Sequence, residues 1–168
     1  FGVHVGGAVG ARHPPTLVNR LFSELQGWGG TFESLEDFVR RDVTRADGRM
    51  VFQHLTVIPG YQQAFRQVFG GEMSVASVGW AVASYMRTIL SGSSPYDRFR
   101  AGQTDALSPS ARRGQALFEG KAGCLRCHAG PNFSDEAFHN LGVGMDRSNP
   151  DLGRFRATAR EAQRGAFK

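Results

Sequence analysis

Cys124, Cys127 and His128 form the pattern Cys-x-x-Cys-His, and these are the two cysteines of the chain. A pair this close does not staple a fold, because a disulfide stabilises a protein mainly by closing a long loop. The pattern is the attachment signature of c-type haem, in which two thiols bind the porphyrin covalently and the histidine binds its iron. The spacing therefore predicts one covalent haem c, with His128 as the proximal iron ligand.

Three other readings of the cysteine pair stay open at this stage. A thioredoxin-like redox pair requires a preceding strand, whereas residues 114–118 have a helical pattern. A zinc site that recruits His139 as a fourth ligand lacks the usual spacing of two ligand pairs. The third reading is a chance occurrence in a haem-free interaction module.

The segments around the motif have helical signals. Ser108 and Pro109 supply an N-cap and a first-turn proline, which predict a helix leading into the motif. Apolar residues at helical spacing predict three more helices, over Thr31–Val43, Tyr61–Phe69 and Ser74–Leu90. No alternating pattern of useful length indicates a strand, so the predicted fold class is mainly α.

Ser74–Leu90 is the clearest of the predicted helices, with Ser74 as a capping residue. Its predicted buried stripe is formed by large apolar side chains, namely Val75, Val78, Val82, Tyr85, Met86 and Ile89. The stretch Ser91–Asp105 is rich in Ser, Gly, Pro and charged residues, and we interpret it as the boundary between two units.

The chain is basic, with a net charge of +5 and a pI of about 9.9. Its arginines are scattered, without a stripe of interleaved aromatic residues, so we expect a solvated surface and no nucleic-acid partner. There is no uninterrupted apolar stretch of about 18 residues, and no membrane span is expected. Because the sequence begins at Phe1 without Met and ends in a polar run, we interpret it as a piece of a longer protein.

A series of further segments, in consistent order and spacing, resembles the bacterial di-haem cytochrome c peroxidases and their MauG-type relatives. The matching residues are Pro15–Asn19, Trp28, Ser34–Glu36, Gly60-Tyr61, Phe65, Phe69-Gly70, Ser91-Gly92, Ser94–Arg98 and, most specifically, Cys124–Gly142. The resemblance covers nearly the whole chain.

Members of this family hold two c-type haems in two helical domains, and by position Cys124–His128 corresponds to the electron-transferring haem. The resemblance implies part of a cytochrome c-like haem domain over residues 99–168, preceded by part of a second helical haem domain over residues 1–98. The motif of the second haem would precede Phe1, so we expect residues 1–98 to pack loosely in this chain.

The resemblance also implies a function. It implies a periplasmic, haem-dependent oxidoreductase that receives electrons from a small donor protein of the cytochrome c or cupredoxin type. The expected reaction is reduction of hydrogen peroxide or a related oxidation.

The resemblance extends to single residues. Trp28 matches a tryptophan between the two haems, where an indole relays electrons; a core aromatic is the alternative. His4 corresponds, one residue out of register, to a loop histidine that covers the peroxidatic iron, and a plain loop residue is the alternative. The sixth iron ligand of the family has no counterpart, which leaves Met145 and His139 as candidates beside ordinary structural roles.

Several positions depart from the family pattern, including Gly29-Gly30-Thr31, where the family usually has Asp-Gly-Arg after the tryptophan. The catalytic Gln falls at Phe38 and the catalytic Glu at Arg49, and neither side chain can act as the base that peroxide cleavage uses. Arg49 can still stabilise an oxygen anion. A calcium-binding Asn falls at His13, a poor ligand for that hard cation, so calcium is a doubtful cofactor. A non-catalytic electron-transfer cytochrome with a degenerate peroxidatic site is therefore the alternative function.

Overall fold

The structure, a computed structural model, describes Gly10 and residues 12–168. Seven α-helices occur in these residues: α1 Leu35–Thr44, α2 Ala46–Thr56, α3 Pro59–Phe69, α4 Val75–Thr88, α5 Pro95–Arg100, α6 Pro109–Glu119 and α7 Phe155–Thr158. Short 3-10 helices span Arg20–Phe22, Cys124–Arg126 and Glu161–Gln163. The described part of the chain contains isolated β-bridges but no strand, which confirms the mainly α class.

Local capping chemistry explains where the predicted helices begin and end. The hydroxyl of Ser74 accepts from the backbone N–H of Ser77, and Ser108 caps α6 ahead of Pro109. α3 ends at Gly70, whose positive φ of 73° suits a glycine C-cap. α1 begins at Leu35, later than predicted, because Ser34 is its N-cap.

The chain divides into two compact units. The first unit consists of Phe1–Ile89 and His139–Lys168, and the second consists of Leu90–Phe138. The expected domain boundary between residues 98 and 99 thus falls within the second unit. α5 also lies in this unit, within the stretch Ser91–Asp105 that the sequence indicated as the boundary between two units.

The core of the first unit forms between α1 and α4. Its buried side chains are Leu35, Val39, Ala83 and Met86, with Phe38 and Val43 packed against them. The predicted stripe of α4 is wrong for Val82 and Tyr85, which are 40% and 67% exposed. The reason is that Gly79 and Ala83 occupy the contact face: a Cβ on Gly79 would lie 2.9 Å from Cγ of Arg40, so α4 approaches α1 through its small residues.

An ion pair links the same two helices at their margin. Both terminal nitrogens of Arg87 donate to the carboxylate of Glu36, at 2.7 and 3.0 Å. This bidentate hydrogen bond lowers the pKa of Glu36 from its ordinary value. The pair therefore favours an ionised carboxylate at neutral pH.

The C-terminal segment of the first unit is held by backbone pairing and by an ion pair with Arg12. His139 and Phe167 exchange backbone hydrogen bonds at 2.9 and 3.0 Å. Arg12 donates from Nε and Nη2 to the two carboxylate oxygens of Asp151, both at 2.6 Å. These hydrogen bonds hold the pKa of Asp151 below its ordinary value.

The second unit has a different interior. It contains α5, α6 and the 3-10 turn that carries Cys124, but none of its residues 90–138 is fully buried. Its aromatic side chains line a cavity instead.

Candidate functional site

The two cysteines lie on a tight turn directly after α6. Gly123 has a positive φ of 68° and starts the 3-10 helix Cys124–Arg126. The carbonyl of Cys124 then accepts from the backbone N–H of Cys127 at 3.3 Å and of His128 at 2.9 Å. Both thiols are partly buried and form no disulfide, so both are available for other bonds.

The ring of His128 is oriented by one hydrogen bond. Its Nδ1 lies 3.0 Å from the backbone carbonyl of Phe133. Because a carbonyl can only accept, Nδ1 carries a proton, and in the neutral ring Nε2 is then the nitrogen with the lone pair. This is the arrangement in which a histidine binds a metal through Nε2.

The loop after His128 folds back on the motif through its backbone. The N–H of Asp135 donates to the carbonyl of Cys127 at 2.8 Å, and the N–H of Ser134 donates to that of Ala129 at 2.9 Å. These two bonds hold the loop so that the carbonyl of Phe133 faces His128.

A largely apolar cavity of about 390 Å³ opens beside His128. Its lining residues come from α5, the segment before α6, α6 itself and the His128 loop: Tyr96, Leu107, Ala111, Gly114, Gln115, Phe118, Glu119, His128 and Phe133. Phe118 stands 6.2 Å from the His128 ring between centroids. Gly114 and Phe118 of α6 belong to this lining, whereas the neighbouring Leu117 is 53% exposed and is not part of it.

His128 lines this cavity and directly follows the two cysteines in the chain, so the residues of the second unit fit a covalently bound haem. Two free thiols, an imidazole whose Nε2 lone pair is available and an apolar wall occur together in residues 90–138. The thioredoxin-like reading loses support, because the motif follows helix α6 and not a strand.

Trp28 lies in the first unit, in the turn between the bridged residues Gln26 and Phe32. Its indole N–H donates to the backbone carbonyl of His13 at 2.7 Å, and the ring is 39% exposed. The role of Trp28 stays a prediction, with an electron relay and a core aromatic as its two readings.

Of the other candidate residues, His4 lies outside the described residues. His139 and Met145, the candidate sixth ligands, belong to the first unit. The backbone of His139 pairs with Phe167, and the Met145 sulfur lies beside Gly165, 2.5 Å from where a Cβ would stand.

The two altered distal positions have structural roles in the first unit. Phe38 packs on the α1–α4 core and meets Phe32 edge to face, with ring centroids 5.3 Å apart. Arg49 is exposed on α2, and its Nη2 donates to the carbonyl of Thr44 at 3.3 Å.

The sequence did not identify two of the aromatic residues that line the cavity as members of the site. Tyr96 and Phe133 were recognised only as parts of matching segments, yet their rings lie 5.1 Å apart beside the cavity. The helix signal that would have placed Tyr96 is the capping pattern of Ser94 and Asp97 around α5.

The helical fold and the Cys-x-x-Cys-His turn define a protein of the cytochrome c type, and comparison with known proteins identifies its family. The family model described as "Di-haem cytochrome c peroxidase" matches residues 1–105. The chain belongs to the di-haem cytochrome c peroxidase family.

Individual relatives agree with this assignment. The chain is 37% identical to "Methylamine utilization protein MauG" of Methylorubrum extorquens, over 94% of this chain and 46% of that protein. It is 38% identical to "Cytochrome-c peroxidase IdrP1" of Denitromonas iodatirespirans, over 84% and 39% of the two chains. It is 28% identical to "Cytochrome c551 peroxidase" of Nitrosomonas europaea, over 95% and 50%. The chain thus spans about half the length of the curated relatives it matches.

A solved structure shares the fold. The crystal structure of a MauG-like protein associated with microbial copper homeostasis superposes with a TM-score of 0.84, at 21% identity. The match covers 99% of this chain and 56% of that chain. In the described residues, no helix combines the length and the apolar character needed to cross a membrane.

Proposed function

We propose that Cys124, Cys127 and His128 hold one haem c in the cavity of the second unit. The observation that carries the proposal is the hydrogen bond from His128 Nδ1 to the Phe133 carbonyl, beside two free thiols. It keeps Nε2 as the metal-binding nitrogen. The proposed haem domain over residues 99–168 contains this site.

The side chains of the second unit would contribute to haem binding in different ways. When bound, haem c supplies one-electron chemistry at its iron. Cys124 and Cys127 anchor the macrocycle covalently, and His128 provides the proximal nitrogen. Phe118 and the other apolar wall residues exclude water from the site.

The absorption spectrum of the denatured chain in alkaline pyridine tests the attachment, together with the intact mass. The chain is produced in a host that matures c-type cytochromes. A reduced band of thioether-bound haem and the added mass of one haem are expected. A colourless chain would contradict the proposal and would direct attention to zinc.

We further propose that the full-length protein is a periplasmic oxidoreductase that reduces hydrogen peroxide or drives a related oxidation. The support is family membership and relatives that are named cytochrome c peroxidases. Its electron donor would be a small cytochrome c or cupredoxin, and a second haem would be bound outside this chain. Stopped-flow mixing of the reduced full-length protein with peroxide tests this, and absence of turnover would contradict it.

Trp28 is proposed as the electron relay of the full-length protein. Its support is a fixed, partly exposed indole whose N–H is held by the His13 carbonyl. Trp28→Phe is expected to slow peroxide turnover of the full-length protein while leaving its haem content unchanged. An equal rate in this variant would remove Trp28 from the pathway. His4 keeps its proposed role as a distal loop histidine.

The second candidate function is electron transfer without peroxidase catalysis. The observation that favours it is the place of Phe38, which packs on the α1–α4 core and has no group that moves a proton. In this case the full-length protein is inactive, and Phe38→Gln combined with Arg49→Glu is expected to create peroxide turnover. Arg49→Glu alone is the matched control. Continued inactivity of the double variant would count against distal-site loss as the cause.

A further inference from the structure

Phe133, which supplies the carbonyl for His128, has an unusual backbone conformation. Its φ is 51°, a left-handed value that bulky residues rarely adopt. Its N–H donates to the carbonyl of Gly130 at 3.2 Å, which closes a tight turn. Such a conformation persists only when the surroundings support it. The orientation of His128 therefore depends on whatever holds Phe133 in place.

Two aromatic rings hold the side chain of Phe133. The ring of Tyr96, from α5, lies 5.1 Å away with an interplanar angle of 63°, and that of Phe118, from α6, lies 5.9 Å away at 82°. Both are edge-to-face geometries, which are favourable for aromatic pairs. Tyr96 is itself fixed, because Ser94 and Asp97 cap the start of α5 with hydrogen bonds of 3.2 and 2.8 Å.

We propose that Tyr96 and Phe118 are positioning residues for the iron-binding histidine. Their rings keep Phe133 in its left-handed conformation and so maintain the hydrogen bond from His128 Nδ1 to the Phe133 carbonyl. This inference rests on the proposed attachment of haem at Cys124 and Cys127. Tyr96 is the cleaner of the two to test, because Phe118 also contacts the His128 ring directly.

Loss of the hydrogen bond at His128 should shift the reduction potential of the site in one direction. A histidine whose Nδ1–H is hydrogen-bonded is the more basic ligand, and a more basic ligand favours oxidised iron. Loss of the bond should therefore make the reduction potential of the site more positive. A pocket that merely opened to water would instead favour the more highly charged oxidised iron, which gives a shift of the opposite sign.

The test compares reduction potentials of the haem-bearing chain and its variants. Tyr96→Leu removes the ring, whereas Tyr96→Phe keeps it. Tyr85→Leu, at a position 67% exposed in the first unit, is the matched control. Tyr96→Leu is expected to shift the potential positively, by up to about a tenfold change in the ratio of oxidised to reduced protein, or 59 mV for one electron. Tyr96→Phe and Tyr85→Leu should match the unaltered chain.

A second variant acts on Phe133 itself. Phe133→Gly tolerates the positive φ but lacks the ring, and it should shift the potential in the same direction as Tyr96→Leu. The inference is overturned by an unchanged or more negative potential in either variant, or by an equal shift in Tyr96→Phe. The pyridine spectrum of each variant separates this result from failure of the proposed function, in which the unaltered chain itself lacks haem.

Discussion

The two units of this chain obtain their interiors in different ways. In the first unit, α1 and α4 bury Leu35, Val39, Ala83 and Met86 against each other, so the protein itself fills the core. In the second unit, no residue of 90–138 is fully buried, and the aromatic residues line a cavity of about 390 Å³. The second unit therefore has the interior expected of a domain whose core is completed by a cofactor.

One helix pair of the first unit differs from the loose packing that the sequence led us to expect. Residues 1–98 were expected to pack loosely without their own haem, yet the described buried hydrophobic cluster lies in this region, between α1 and α4. α1 and α4 meet through small residues and are joined by the Glu36–Arg87 ion pair. Packing of this kind needs no cofactor.

The largest effect is expected from removing both anchors of the second unit. Cys124→Ala combined with Cys127→Ala should abolish covalent haem, because no other cysteine is present in the sequence. Arg126→Gln, an exposed position within the same turn, is the control and should keep full attachment. Intact mass measures both, and residual covalent haem in the double variant would contradict the assignment.

The next largest effect is expected from a substitution that creates a cavity in the core of the first unit. Leu35→Ala is expected to lower the free energy of unfolding by about 2–4 kcal/mol, because Leu35 is 3% exposed. Leu141→Ala, at a position 80% exposed, should cost less than about 0.5 kcal/mol. Urea unfolding followed by tryptophan fluorescence reports on this unit, since Trp28 and Trp80 both belong to it. Equal costs for the two variants would contradict a protein-filled core.

A smaller effect is expected at the helix that lines the cavity. Ser108 caps α6 by accepting from the N–H of Ala111 at 3.1 Å. Ser108→Ala should lower stability by about 1 kcal/mol, measured by urea unfolding at the haem absorption band. Ser110→Ala, exposed on the same helix, is the control and should have little effect. Similar midpoints for both variants would show that the cap does not stabilise this unit.

The smallest effect concerns the ion pair of the first unit. The folded state lowers the pKa of Glu36, mainly through its hydrogen bond to Arg87. The stabilisation is therefore complete above the ordinary carboxyl pKa of 4.5 and is lost as the pH falls through the lower folded value.

Glu36→Gln should accordingly cost less than about 1 kcal/mol at pH 7, because the pair is partly exposed. The substitution should also weaken the decrease of the free energy of unfolding as the pH falls below 4.5. Glu33→Gln is exposed and is the matched control for urea unfolding across this pH range. If the free energy of unfolding of Glu36→Gln fell with decreasing pH as it does in the unaltered chain, the Glu36–Arg87 pair would not contribute to the pH dependence of stability.

Much of this architecture follows from local sequence signals. Ser74 and Ser108 marked helix starts correctly, because caps depend on a few neighbouring residues. α2 was not predicted, since Gly48 interrupts a segment whose apolar residues Met50 and Val51 are exposed and form no clear stripe. The cysteine motif was also visible in the sequence, because its residues are all contained in Cys124–His128; its role in binding haem stays a prediction.

Contacts between distant segments were not predictable from local patterns. The contact face of α4 is set by Gly79 and Ala83, whereas a search for large apolar residues selects Val82 and Tyr85. Likewise, Tyr96 meets Phe133 only because α5 and the loop after His128 fold together. Both contacts depend on tertiary packing, which cannot be predicted from the spacing of residues within one segment.

Amide hydrogen exchange of the haem-bearing chain, beside the Cys124→Ala, Cys127→Ala double variant, tests most directly whether a cofactor completes the second unit. We predict that removing the anchors abolishes slow exchange in α6 and in the rest of residues 90–138. Protection of α1 and α4 should be retained, because their core is made by the protein. Equal protection of residues 90–138 in the two proteins would contradict the account.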